Sequence, residues 1–159
     1  MQETRDVLMS IHPKWCNLIL NGAKTREVRK RAPLRATPFK VYLYCTKPNT
    51  DDPWELLEIH NHDNGKIYRG NGKIVGEATC VSIIEYRGPF RNSTYGTCLT
   101  ARELIEYAGP GEKVCYMALE NPVTYDKPKD LSEFGLKHPP MSWQYVKDIN
   151  ETDREGVKS

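Results

Sequence analysis

The sequence predicts an α+β fold that is mainly β: an antiparallel β-barrel of five or six strands with two main α-helices and short helical turns. Three observations carry this. Short runs rich in Val, Ile, Tyr and Thr recur along the chain, as at 41–45, 73–86 and 114–119. Only two segments combine helical periodicity with clear start and stop signals, one after His12 and one after Thr100. The strands are joined by mixed connections, without the regular strand–helix alternation of a doubly wound sheet.

In chain order, Val7 to Ile11 reads as a short strand. His12-Pro13 then opens a helix, because proline at the first helical position lacks only an N–H that would have no partner there. Trp15, Cys16, Leu18, Ile19 and Leu20 supply its apolar stripe, and Gly22 is a left-handed stop. Thr25 to Arg31 is extended and basic, and Val41 to Cys45 is a buried strand. Residues 47–70 contain prolines, aspartates and asparagines and read as a long excursion with at most one helical turn near Trp54 to Ile59. Gly70-Asn71-Gly72 is a hairpin signal, entered by Ile67-Tyr68 and left by a long strand from Lys73 to Tyr86, bent at Gly76. Thr100-x-x-Glu103 is a capping box, with Leu99 and Leu104 as its staple and Gly109-Pro110 as the end of the second helix. Val114 to Leu119 is a strand that Pro122 to Tyr125 continues, Asp130 to Gly135 is one helical turn, and Trp143 to Val146 is a last strand.

A chain of 159 residues and 18.3 kDa is long enough for one core, so residues 1–146 read as one domain and 147–159 as a polar, disordered C-terminal tail. No apolar run approaches the roughly 20 residues of a membrane span. The first residues lack the pattern of a secretory signal, so a cytoplasmic location and no membrane partner are expected. The five cysteines are scattered, without a Cys-x-x-Cys pair, and read as reduced, mostly buried thiols. Net charge is +2 but uneven: between 24 and 40 seven basic residues face Glu27 alone, a local +6 that leaves −4 for the rest. Such asymmetry suits a polyanion, because neutralised phosphates release counterions.

The densest chemistry is Gly22 to Arg31. Extended chain places Thr25, Glu27 and Arg29 on one face and Lys24, Arg26, Val28 and Lys30 on the other, unless a bulge after Gly22 reassigns Lys24. Arginine forks onto phosphate and Glu27 can accept from a base amino group. An edge strand charged against aggregation would look the same. Lys14 lies in the first helical turn, where the macrodipole disfavours a cation, which hints at another use. Ser142 flanks Trp143 after Pro139-Pro140; Trp143 reads as barrel wall before base-stacking platform. His60, His62 and Asp63 lack a metal-site context, so neither metal nor cofactor is expected. Hydrolase triads, phosphate-cradling loops and dinucleotide fingerprints are absent from the sequence.

Ser10-Ile11-His12-Pro13-Lys14 and Asn21-Gly22-Ala23-Lys24-Thr25-Arg26-Glu27-Val28-Arg29 resemble the opening of ASCH-domain proteins. So do Gly72 to Glu77, Tyr125 to Pro128, and Leu131 to Trp143, the last being similar to the phage and prophage subset. The resemblance spans most of 7–146 and implies a PUA-like barrel, a cleft where the first helix, the Gly-x-Lys strand and the closing strand meet, and RNA-related roles. One branch, the bacterial N-acetylcytidine amidohydrolases, uses a lysine, a threonine and a glutamate; Lys24 matches the lysine, but Glu27 stands where that threonine lies. Other members resemble ribonucleases, which would give Lys24 or Lys14 a phosphate to stabilise and Glu27 a proton to move.

The reading that follows is a module binding single-stranded RNA or an exposed or modified base. Lys14, Lys24, Thr25, Glu27, Arg29, Ser142 and Trp143 would line its cleft, and Lys30, Arg31 and Arg35 would meet phosphates. The alternatives are a hydrolase acting on RNA or a modified nucleoside, with Lys24 and Glu27 catalytic, and a protein-interaction adaptor of phage origin.

Overall fold

A computed structural model describes residues 5–48 and 55–147. The chain runs β1 (Arg5–Ile11), α1 (Pro13–Leu20), β2 (Arg26–Arg29), β3 (Phe39–Cys45), β4 (Glu58–His60), β5 (Ile67–Arg69), β6 (Lys73–Tyr86), α2 (Ala101–Ala108), β7 (Val114–Lys129), a 3₁₀ turn (Leu131–Phe134) and β8 (Trp143–Lys147). Six strands form one sheet in the order β2-β7-β6-β3-β1-β8, and β4 pairs with β5 as a separate ribbon. This is the α+β, mainly β fold that the sequence predicts. One pair departs from antiparallel order: β1 and β3 are parallel, because α1 and β2 intervene and return the chain to the same end of the sheet.

Strand β1 is apolar at Val7, Leu8, Met9 and Ile11, and both of its faces are covered there. Val7, Met9 and Ile11 enter the main core with Cys16 and Ile19 of α1, while Leu8 joins Tyr42, Tyr44 and Ile74 on the other face, beneath Phe134 of the 3₁₀ turn. A third cluster of Val28, Phe90, Leu104, Ala108, Val114 and Tyr116 seats α2. The capping box is formed: the Thr100 hydroxyl accepts from the Glu103 N–H at 3.1 Å, and the Glu103 carboxylate accepts from the Thr100 N–H at 3.1 Å. The β3–β6 and β6–β7 registers both slip next to Gly76, the predicted bend.

The sheet's two end strands, β2 and β8, approach through side chains. Arg29 donates to Ser142 Oγ at 3.1 Å and to the Ser10 carbonyl at 2.9 Å, Trp143 Nε1 donates to the Arg31 carbonyl at 3.0 Å, and the Leu34 N–H donates to the Tyr145 hydroxyl at 3.0 Å. Cys16, Cys45, Cys80 and Cys115 are buried free thiols and Cys98 is exposed. No helix among the described residues is long and apolar enough to cross a membrane.

Two local expectations need correction. Ile67-Tyr68 pairs with β4 instead of forming a hairpin with β6. The Asn71 amide accepts from the Leu57 N–H at 2.8 Å and donates to the carbonyls of Glu55 and Thr46 at 2.7 and 3.1 Å, so the Gly-Asn-Gly turn serves as an anchor for the preceding segment. The helical turn expected near Trp54 to Ile59 falls partly outside the described residues, and from Glu58 the chain is strand. β8 includes Lys147, while the remainder of the expected tail, 148–159, lies outside the described residues.

Candidate functional site

The junction between α1 and β2 builds the site. Asn21 caps α1, and Gly22, at a φ of +86°, turns the chain back, a conformation that costs a glycine little. The Lys24 N–H then donates to the Leu18 carbonyl at 2.9 Å, and the N–H groups of Thr25 and Arg26 share the Gly96 carbonyl at 2.8 Å. Gly96, at φ +76°, leaves no room for a side chain: a Cβ there would lie 2.3 Å from Thr25 Oγ1. Lys24 therefore precedes the strand, and its side chain turns to the face carrying Glu27 and Arg29.

These three form a connected cluster. Lys24 Nζ donates to the Thr97 carbonyl at 2.5 Å and lies 3.7 Å from Glu27 Oε1. Glu27 Oε2 accepts from Arg29 Nη2 at 2.9 Å and from Nε at 3.1 Å. Lys24 is 2% exposed and Glu27 6%. Burial lowers the Lys24 pKa below the ordinary lysine value, an effect that the Glu27 carboxylate opposes. The ammonium also sits 4.9 Å from the Trp15 ring centroid, with that of Lys14 at 4.7 Å.

The cluster lies at a cleft of about 670 Å³. Ser10, Ile11, His12 and Trp15 line one side, Leu99, Glu103, Glu106 and Tyr107 of the α2 region another, and Met141 the rim before β8. Tyr107 is held over β2, with Lys30 Nζ 5.3 Å from its ring; burial raises its hydroxyl pKa and the neighbouring Arg29 opposes that rise. The lining carries Lys24 and Arg29 together with Glu27, Glu103 and Glu106, and Trp15 and Tyr107 offer ring surface. Among the described residues no three His, Cys, Asp or Glu side chains gather as a metal site.

Of the residues singled out in the sequence, Lys24, Glu27 and Arg29 are brought together, and Ser142 joins them through Arg29. Thr25 is exposed and does not line the cleft; Lys14 borders the groove on the far side of Trp15. Trp143 is committed to the Arg31 carbonyl and packs edge-on against Tyr145, as wall. Lys30 and Arg31 are exposed beside the cleft, whereas Arg35 is half-buried with an Nε that has no hydrogen-bond partner among the described residues. Nor is the basic run one surface: Arg26 lies over the Tyr116 ring at 5.7 Å and Lys40 pairs with Glu77 at 3.2 Å. Sequence reasoning missed the wall from α2 and the role of Trp15 as a partition. The one available signal was the polar face of α2, where Glu103 and Glu106 sit one turn apart.

No family model matches the sequence, and no curated protein matches it. Solved structures do. The ASCH protein of Zymomonas mobilis is 19% identical, with a TM-score of 0.69 over 96% of this chain and 94% of that one. A tyrosine-to-phenylalanine variant of it matches at 18% identity and TM-score 0.69, over 96% and 97% of the two chains. A serine-to-alanine variant matches at 18% and 0.70, over 99% of each. Identity this low with near-complete coverage is a likeness of backbone: the chain has the fold of the ASCH-domain proteins.

Proposed function

We propose that the protein is a nucleic-acid-recognition module whose cleft takes up an exposed base or nucleotide of single-stranded RNA. The observation that carries this reading is the Lys24–Glu27–Arg29 cluster, buried and mutually paired at a cleft with ring surface on two sides. Fixed donors and acceptors read base edges, aromatic rings stack on bases, and Lys30 and Arg31 just outside are placed to meet phosphates. The ASCH fold agrees with this reading.

Hydrolysis is the second reading, favoured by the burial that makes the Lys24 proton easier to lose. Against it, Glu27 Oε2 is occupied by two nitrogens of Arg29 and Oε1 faces Lys24, so the carboxylate is already engaged within the cluster. Recognition therefore fits the geometry better than turnover.

Fluorescence anisotropy with a labelled pool of short single-stranded RNAs tests this. Lys24→Ala is expected to weaken binding about tenfold or more, the worth of a charge-assisted hydrogen bond. If Lys14, Lys30 and Arg31 each neutralise one phosphate, log affinity falls against log salt with a slope of about −2. Equal affinity of wild type and Lys24→Ala, with no salt dependence, would sink the proposal; RNA cleavage that Lys24→Ala abolishes would put hydrolysis in its place.

A further inference from the structure

Beyond Trp15 and His12 the cleft passes into a second groove of about 830 Å³, and that groove shares Asn17, Leu57 and Glu58 with a third of about 410 Å³. Together they follow α1 to the β4–β5 ribbon. Glu55, Glu58 and Asp126 line them, and among the described residues that do so Lys14 is the one lysine or arginine, at the end nearest Trp15. A phosphate backbone would be repelled along most of this path.

β4 borders both grooves and is an edge strand, with β5 as its ladder partner in a two-stranded sheet. Over 56–60 the chain alternates exposed and buried residues: Leu57 and Ile59 enter the core, while Leu56, Glu58 and His60 face outward. Glu58 is 61% exposed, and its ion-pair partner at 3.5 Å, His60, is charged only when protonated. The opposite edge, β5, carries Arg69 and follows Lys66, so it offers no comparable acidity.

We propose that β4 and the acidic groove beside it form a docking surface for an extended basic segment of a partner protein, which adds as a strand to β4. A strand laid there sets residues two positions apart beside Leu56 and Glu58, so the matching segment carries an apolar residue and a lysine or arginine two positions apart on one face. This inference is independent of the RNA reading, since it uses neither Lys24 nor Arg29.

The test is a displayed library of random octapeptides panned against the wild-type protein. Enriched sequences are expected to carry a lysine or arginine two residues from an apolar residue, and as synthetic peptides to protect the β4 amides from hydrogen exchange. The exposed pair of changes Glu58→Lys and Asp126→Lys is expected to weaken their binding at least about tenfold, because attraction becomes like-charge repulsion. The same protein should keep its circular dichroism spectrum and keep or gain RNA affinity, which separates this result from a failure of the cleft proposal. Glu58→Gln with Asp126→Asn should fall between. No enrichment, enrichment without basic residues, binding that survives charge reversal, or protection of β4 by single-stranded RNA would each overturn the inference.

Discussion

Two surfaces meet at Trp15, and they use charge in opposite ways. On one side Lys24, Glu27 and Arg29 are buried and spend their hydrogen bonds on one another and on the backbone, so that charge fixes geometry. On the other, Glu58 and Asp126 stand in solvent, where charge costs little and attracts at a distance. A buried charge is thus bound up with the stability of the fold, while an exposed one is free to change.

The largest expected effect breaks the first surface. Arg29→Ala removes both partners of Glu27 Oε2 and the link to Ser142 and Ser10, leaving a buried carboxylate underpaired; urea unfolding should show a loss of about 3 kcal/mol. On the second surface Glu58→Gln should stay within about 0.5 kcal/mol of wild type. A comparable loss at both would erase the distinction.

A smaller effect concerns the wall that α2 contributes. Thr100→Ala deletes the bond to the Glu103 N–H and should cost about 1 kcal/mol, read as a lower urea midpoint at unchanged m-value.

A small effect at neutral pH, and the sharpest in sign, is at Lys24. Its pKa is lowered on folding, chiefly by burial, so between that lowered value and the unfolded value of about 10.4 the unfolded chain binds more protons. Stability should therefore rise with pH across that window, and Lys24→Met should abolish this part of the rise. At pH 7 the variant should lie within about 1 kcal/mol of wild type, since losing a desolvated charge offsets losing its partner. Urea midpoints measured at pH 7 to about 10 on both proteins decide it.

Much of this was legible along the chain. The capping box at Thr100, the stop at Gly22 and the bend at Gly76 are local events set by a few neighbouring residues, and all three are present. The strand β4 was not legible, because the Leu56-Leu57 doublet interrupts the period-two pattern that the fold then imposes. The face that Lys24 takes was not legible, since the chain beside it is set by the Gly96 carbonyl, remote in sequence, which accepts from Thr25 and Arg26.

By itself, then, the sequence determined the mainly β class, both helices and the gathering of Lys24, Glu27 and Arg29 in one short stretch, because propensity, capping and side-chain alternation act over a few residues. Tertiary structure alone decided that Lys24 turns inward to Thr97, that Arg29 bridges β2 to Ser142, and that Trp15 divides a paired cleft from an acidic groove. Those outcomes depend on contacts between segments far apart in the chain, and burial, which sets the worth of every charge, exists only once those segments have packed.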